Sequence, residues 1–162
     1  MGKEKSKKMI ILNKYQIIHN AYIDITGLLK ALASFFDANK YDYDEIGVSE
    51  KSGATGDEVE SVWKATREVT DYVMFDMMVT VWARDLRKVV VDGKEMYWAR
   101  VMITIDSHAK KNWNKTFGSG HWQELMRQGY ERYVVYKDMD AYKGKIYVES
   151  MLLIDEIKKY LK

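Results

Sequence analysis

Asp76, Asp106 and His108 are the residues in this sequence best equipped for chemistry. Asp76 interrupts an alternating apolar run, and Asp106 and His108 lie two residues apart at the end of a second run. Two carboxylates and an imidazole on one sheet face could coordinate a divalent ion or act as an acid–base group. His121 and Glu124, one helical turn apart, could join them. The spacing matches no HExxH or comparable signature, so a surface polar cluster at a sheet end is the stronger reading. There is no Gly-x-Ser-x-Gly elbow and no dinucleotide fingerprint. Lys51-Ser-Gly-Ala-Thr-Gly lacks the Gly-Lys-Ser/Thr ending of a phosphate loop. No catalytic residue, resident metal or cofactor is therefore expected, and a non-enzyme is favoured.

The elements that must position these groups centre on Tyr72–Asp106. Val73, Phe75, Met77, Val79, Val81 and Ala83 occupy alternate positions, as do Tyr97, Ala99, Val101, Ile103 and Ile105. Each set would face a core, since a strand turns successive side chains to opposite faces. Both sets are odd-numbered, and residues opposite each other in an antiparallel pair share a face. A three-residue loop, Val91-Asp92-Gly93 with Gly93 left-handed, pairs odd with odd. It predicts Val81 opposite Ile103, Val79 opposite Ile105, Trp82 opposite Met102 and Trp98 opposite Leu86. The even-numbered face holds Met78, Trp82, Arg84, Trp98, Arg100 and Met102, residue types enriched at interfaces. These six are the expected contact surface for a homodimer or another partner.

The 162 residues suit a single domain spanning 9–162, with 1–8 as a disordered basic tail. Net charge is +2, which does not favour nucleic acid. The basic run Lys110–Lys115 contains Trp113, but a loop with the tryptophan packed inward and the lysines wet explains it better than base stacking. No membrane span or signal segment is evident, and the absence of cysteine fits a reducing, cytoplasmic setting. Between Tyr41 and Glu60, seven carboxylates face only Lys51. The glycine and final glutamate are misplaced for an EF-hand, and a solvated edge strand accounts for the run.

Periodicity supplies the remaining elements. Met9–His19 reads as a strand, and Ile25, Leu28, Leu29, Leu32, Phe35 and Phe36 mark an amphipathic helix capped by Asp24 or Asn20. Val59–Val69 reads as another strand. A helix is predicted from Gly120, capped by Ser119, with a bend near Gly129 and a long continuation to Leu161. Gly144 marks a second candidate kink, and Asp155 and Lys159 have i,i+4 spacing for an ion pair.

An antiparallel sheet with helices on one face is an α+β architecture. The order strand, helix, four strands, long helix resembles the helix-grip (START-like, Bet v 1-like) architecture. That resemblance implies a small hydrophobic or lipid-like ligand in an apolar pocket between sheet and C-terminal helix. Trp63, Phe75, Val79, Val101, Ile103, Met126 and Tyr133 are the expected lining. Val62-Trp63-Lys64-Ala65, Asp71-Tyr-Val-Met-Phe75 and Leu153-Ile-Asp-Glu-Ile-Lys158 also look like small archaeal proteins, a likeness that implies no activity.

Overall fold

The computed structural model describes residues 7–114, 120–132 and 136–161. Strand β1 (Lys7–Ile23) leads into helix α1 (Ile25–Ala38). Strands β2 (Asp42–Gly53), β3 (Gly56–Glu68), β4 (Val73–Val91) and β5 (Lys94–Lys111) follow, and then helices α2 (His121–Tyr130) and α3 (Tyr136–Lys158). The strands form one antiparallel sheet in the order β1-β5-β4-β3-β2. The architecture is α+β, as the alternation of the strands and the 3.6-residue spacing of α1 predict. None of the described helices is long and apolar enough to cross a membrane.

Odd-with-odd pairing is present: Val81 lies opposite Ile103, Val79 opposite Ile105 and Trp82 opposite Met102. Its origin differs from the predicted three-residue loop. Val91 pairs with Lys94, leaving the two-residue turn Asp92-Gly93 with φ of 51° and 77°. Positive φ at both positions is the type I′ geometry that Asp-Gly favours, and it matches the twist of the strands. This turn pairs odd with even. A bulge between Arg84 and Arg87, with Asp85 at φ 54°, inserts the residue that restores parity. Trp98 consequently lies opposite Arg87 rather than Leu86. Gly56 makes room for the bulge, because a Cβ there would meet the Asp85 backbone at 2.9 Å. At Gly93 a side chain would have open space, so only backbone strain opposes substitution. Gly93→Val is expected to cost about 1–2 kcal/mol, read as a lower urea midpoint with an unchanged slope.

The odd-numbered face of the sheet carries the core. Phe75, Met77, Val79, Ile103 and Ile105 are fully buried there against Leu28, Leu32 and Phe36 of α1 and Ile146, Leu153, Ile154 and Ile157 of α3. Ser150 donates to the Ile146 carbonyl at 2.7 Å and accepts from the Ser107 hydroxyl at 3.0 Å, at full burial. Small side chains let α3 approach β5, and their hydroxyls satisfy each other.

Helix α1 begins at Asp24, whose carboxylate accepts from the Gly27 amide at 3.0 Å and pairs with Lys94 at 2.8 Å. The hydrogen bond from Lys94 leads in holding the Asp24 carboxyl below its usual range, with the Gly27 amide next. At the other end of α1, a buried network ties three elements together. Arg67 donates to the Asn39 carbonyl at 2.6 Å and to Glu149 at 2.9 Å, and Tyr41 donates to the second Glu149 oxygen at 2.6 Å. The Arg67 guanidinium also lies over the rings of Tyr41 and Phe75.

The C-terminal region holds two separate helices where the sequence predicts a short helix, a bend near Gly129 and a second helix. Helix α2 ends at Tyr130, just past the predicted bend at Gly129, and α3 starts at Tyr136 with Gly144 inside it. Among the described residues α2 buries none of its own side chains. Its far end is held by Tyr72, which donates to Glu131, while Arg127 bridges Glu124 and Glu131. Lys159 pairs with Glu156 at 2.7 Å instead of Asp155, one residue closer along the turn. Ser119 and the first six residues of the predicted basic tail lie outside the described residues.

Candidate functional site

Asp76 and Asp106 take part in fixing the sheet. Asp76 does lie opposite His108. Its carboxylate, however, pairs with Lys110 at 2.8 Å, with both side chains largely buried. Asp106 accepts from the Lys14 amide at 2.8 Å, where β1 bulges and Lys14 has φ 48°. Among the described residues no three potential ligands converge on a point that could hold a metal ion. Glu124, the proposed helper, is occupied by Arg127, and the hydrogen bond from that guanidinium leads in lowering its pKa.

Of the seven expected pocket residues, Trp63, Phe75, Val79, Val101 and Ile103 share the buried face. They pack with α1 and α3 in one apolar cluster. Met126 is not among them: it is 63% exposed on α2, beside the equally uncovered Trp122. Tyr133 lies outside the described residues.

A cleft opens elsewhere on that face, past the end of the packed core. It has a volume of about 510 Å³ and lies between the first turns of α1 and the far ends of β2, β3, β4 and β5. Ile25, Leu29, Val48, Val59, Leu86 and Tyr97 give it apolar walls. Strand geometry explains this position. The strands run from 12 to 19 residues, longer than the 14-residue α1 can cover at its shallower rise per residue. A bulge at Ile46 puts both Glu45 and Val48 on the cleft side, and the β4 bulge turns Leu86 inward.

One wall of the cleft is polar and ordered. Trp63 donates through Nε1 to the Ser61 hydroxyl at 2.7 Å, and Ser61 donates on to the Glu45 carboxylate. Ser61 is buried, so this relay holds a carboxylate oriented at the edge of an apolar site. Glu50, Asp57 and Glu58 stand around the mouth with Lys51. Sequence reading missed Ser61, Glu45, Leu86 and Tyr97. The available signal was a serine between Val59 and Trp63 on the core parity of β3, where a polar side chain needs a partner.

The even-numbered face holds the six residues expected at a partner contact, and they do lie together. Among the described residues, the helices contribute their buried side chains to the opposite face. Met78 is 36% exposed and Ile18, beside Met102, is 69% exposed. Arg84 stacks over the Trp82 ring at 3.4 Å, and Trp82 donates through Nε1 to Glu58 at 2.6 Å. Arg87, unnoticed in the sequence, lies over Trp98. In comparisons with known proteins, the chain matches no family model, no curated protein and no solved structure.

Proposed function

We propose that the protein is a non-catalytic binding protein for a small amphipathic molecule held in the cleft between α1 and the sheet. The observation that carries this reading is an apolar-walled space of about 510 Å³ with an ordered carboxylate in its lining. Ligand sites fall in this size range and combine apolar walls with a few placed polar groups. The ligand's apolar body lies against Leu29, Val59, Leu86 and Tyr97, and a donor group on it reaches Glu45. The strand order β1-β5-β4-β3-β2, with α1 and α3 on one face, is compatible with a helix-grip-like fold. The site is displaced from the predicted one under the C-terminal helix toward α1.

A neutral, environment-sensitive dye such as Nile red tests the cleft directly. Titration is expected to saturate at one dye per chain. Val59→Trp fills the space and is expected to weaken binding by about tenfold or more, the equivalent of one or two lost apolar contacts. Ser61→Ala removes the relay and leaves the walls, so dye binding survives while selectivity for ligands with a donor group falls. Absence of saturable binding, or equal binding by Val59→Trp, would sink the reading.

A further inference from the structure

The even-numbered face carries a charge pattern arranged about β4. Across the sheet, Lys110 on β5 and Glu68 on β3 flank Met74. Asp106 and Lys64 flank Met78. Arg100 lies opposite Arg84, and Glu58 on the β3 side lies 3.9 Å from Arg84. In all three rows the flanking residues carry opposite charges, and the sign alternates from one row to the next. β3 and β5 are about 10 Å apart, twice the strand spacing, so these partners are not direct neighbours within one chain. The lateral halves also differ. The β2–β3 half presents Asp42, Asp44, Glu58, Glu60 and Glu68 against Lys51 and Lys64, while the β1–β5 half presents Lys8, Arg100 and the largely buried Lys110 against Asp106. Between the halves runs an uncharged, half-exposed band of Met78, Thr80, Trp82 and Met102.

We infer that this face binds a second copy of the chain, with a two-fold axis between the sheets and parallel to β4. Such an axis exchanges the lateral halves and keeps every row at its own level. β4 faces β4, and β3 of each copy faces β5 of the other. Lys110 then meets Glu68, Asp106 meets Lys64 and Arg100 meets Glu58, each contact occurring twice. Met78, Thr80 and Trp82 lie along the axis and cover one another, removing apolar surface that soluble chains rarely leave open. The alternative axis, perpendicular to the strands, would set Lys110 against Arg100 and Glu68 against Glu58. The parallel axis leaves only two like-charge contacts, Asp76 and Arg84 of β4 each near its own copy and each already paired within its chain to Lys110 and Glu58, against four across the perpendicular axis, so the charge pattern favours a second copy on the parallel axis. Lys110 and Arg100 are already fixed on the face by Asp76 and Asp85. An ammonium has three donors and a guanidinium five, so both retain capacity for a partner. The cleft opens on the opposite face of the sheet, and Lys51 and Glu58 at the end of the β2–β3 hairpin border both.

Light scattering on the full chain at high micromolar concentration tests this. The wild type is expected at twice 19.0 kDa. Lys64→Glu and Asp106→Lys each create two like-charge contacts and are expected to run as monomers. Mixing these two variants restores the dimer mass, because each new charge then meets its opposite in the other variant. Asp106→Lys also loses the bond from Lys14, so a thermal melt checks its folding. Thr80→Cys provides a route that does not depend on that variant, since the chain has no cysteine. A short bifunctional thiol reagent should link Thr80→Cys into covalent dimers and leave Ser49→Cys, on the edge strand β2, unlinked. A wild type of monomer mass would overturn the proposal. So would a dimer that survives Lys64→Glu and gives no cross-link through Thr80→Cys.

Discussion

Replacing Glu149 by alanine is expected to destabilise the protein by about 3–5 kcal/mol, the cost of leaving one member of a buried ion pair alone. Glu149 is buried on α3, and its two oxygens serve Arg67 on β3 and Tyr41 just before β2. The variant leaves a guanidinium with only the Asn39 carbonyl and two ring faces, and a buried phenol without its acceptor. Urea denaturation should show the loss as a shifted midpoint. Arg67→Met with Glu149→Leu removes both charges and is expected to recover most of it, because apolar replacement of a buried pair is often near neutral. If the double variant is as unstable as Glu149→Ala, packing rather than the unpaired charge causes the loss. The same network has an alkaline signature. Burial, and then the bond to Glu149, push the Tyr41 phenol far above its ordinary value. Since the folded state holds the proton more tightly, this stability is fully present below the unfolded pKa of about 10 and is lost as pH rises further. Tyr41→Phe should flatten that part of the stability profile.

Phe75→Ala is expected to cost about 3–5 kcal/mol, the range for emptying a closed core. Phe75 is fully buried, with the Tyr142 ring edge-on at 6.5 Å and Arg67 over its face. The experiment also distinguishes two positions for the binding site. A residue lining a solvent-filled pocket under α3 would lose little when truncated, since no new cavity forms. Measured loss near the upper figure, with Nile red binding retained, places the site in the α1 cleft. Loss below about 1 kcal/mol, outside the range for core truncation, would return it to the space under α3.

Much of the fold was legible because burial imposes a period. The odd-numbered apolar runs of β4 and β5, the edge character of the acidic β2 and the 3.6-residue spacing of α1 all follow from one face being dry. The even-numbered face shows the complementary signal: its Met, Trp and Arg residues have the period of a strand and are residue types enriched at interfaces. The site was harder to read. Its relay joins Glu45, Ser61 and Trp63 from two strands, and no short-range pattern links those residues. Glu149 and Arg67 are 82 positions apart and resemble ordinary surface charges in sequence.

The sequence by itself determined the sheet, which side chains share a face and the parity of the central hairpin, since alternation and a one-residue slip leave few choices. Only the tertiary structure decided how that parity is achieved. Asp92-Gly93 takes the tight turn its dihedrals favour, and the bulge at Asp85 corrects the register, a compromise visible only when both strands are placed. The tertiary structure likewise decided where the cleft lies. Its position depends on the length of α1 against that of the strands and on two bulges that redirect single side chains. Periodicity describes which face is buried; it carries no information about how far along that face the covering helix reaches.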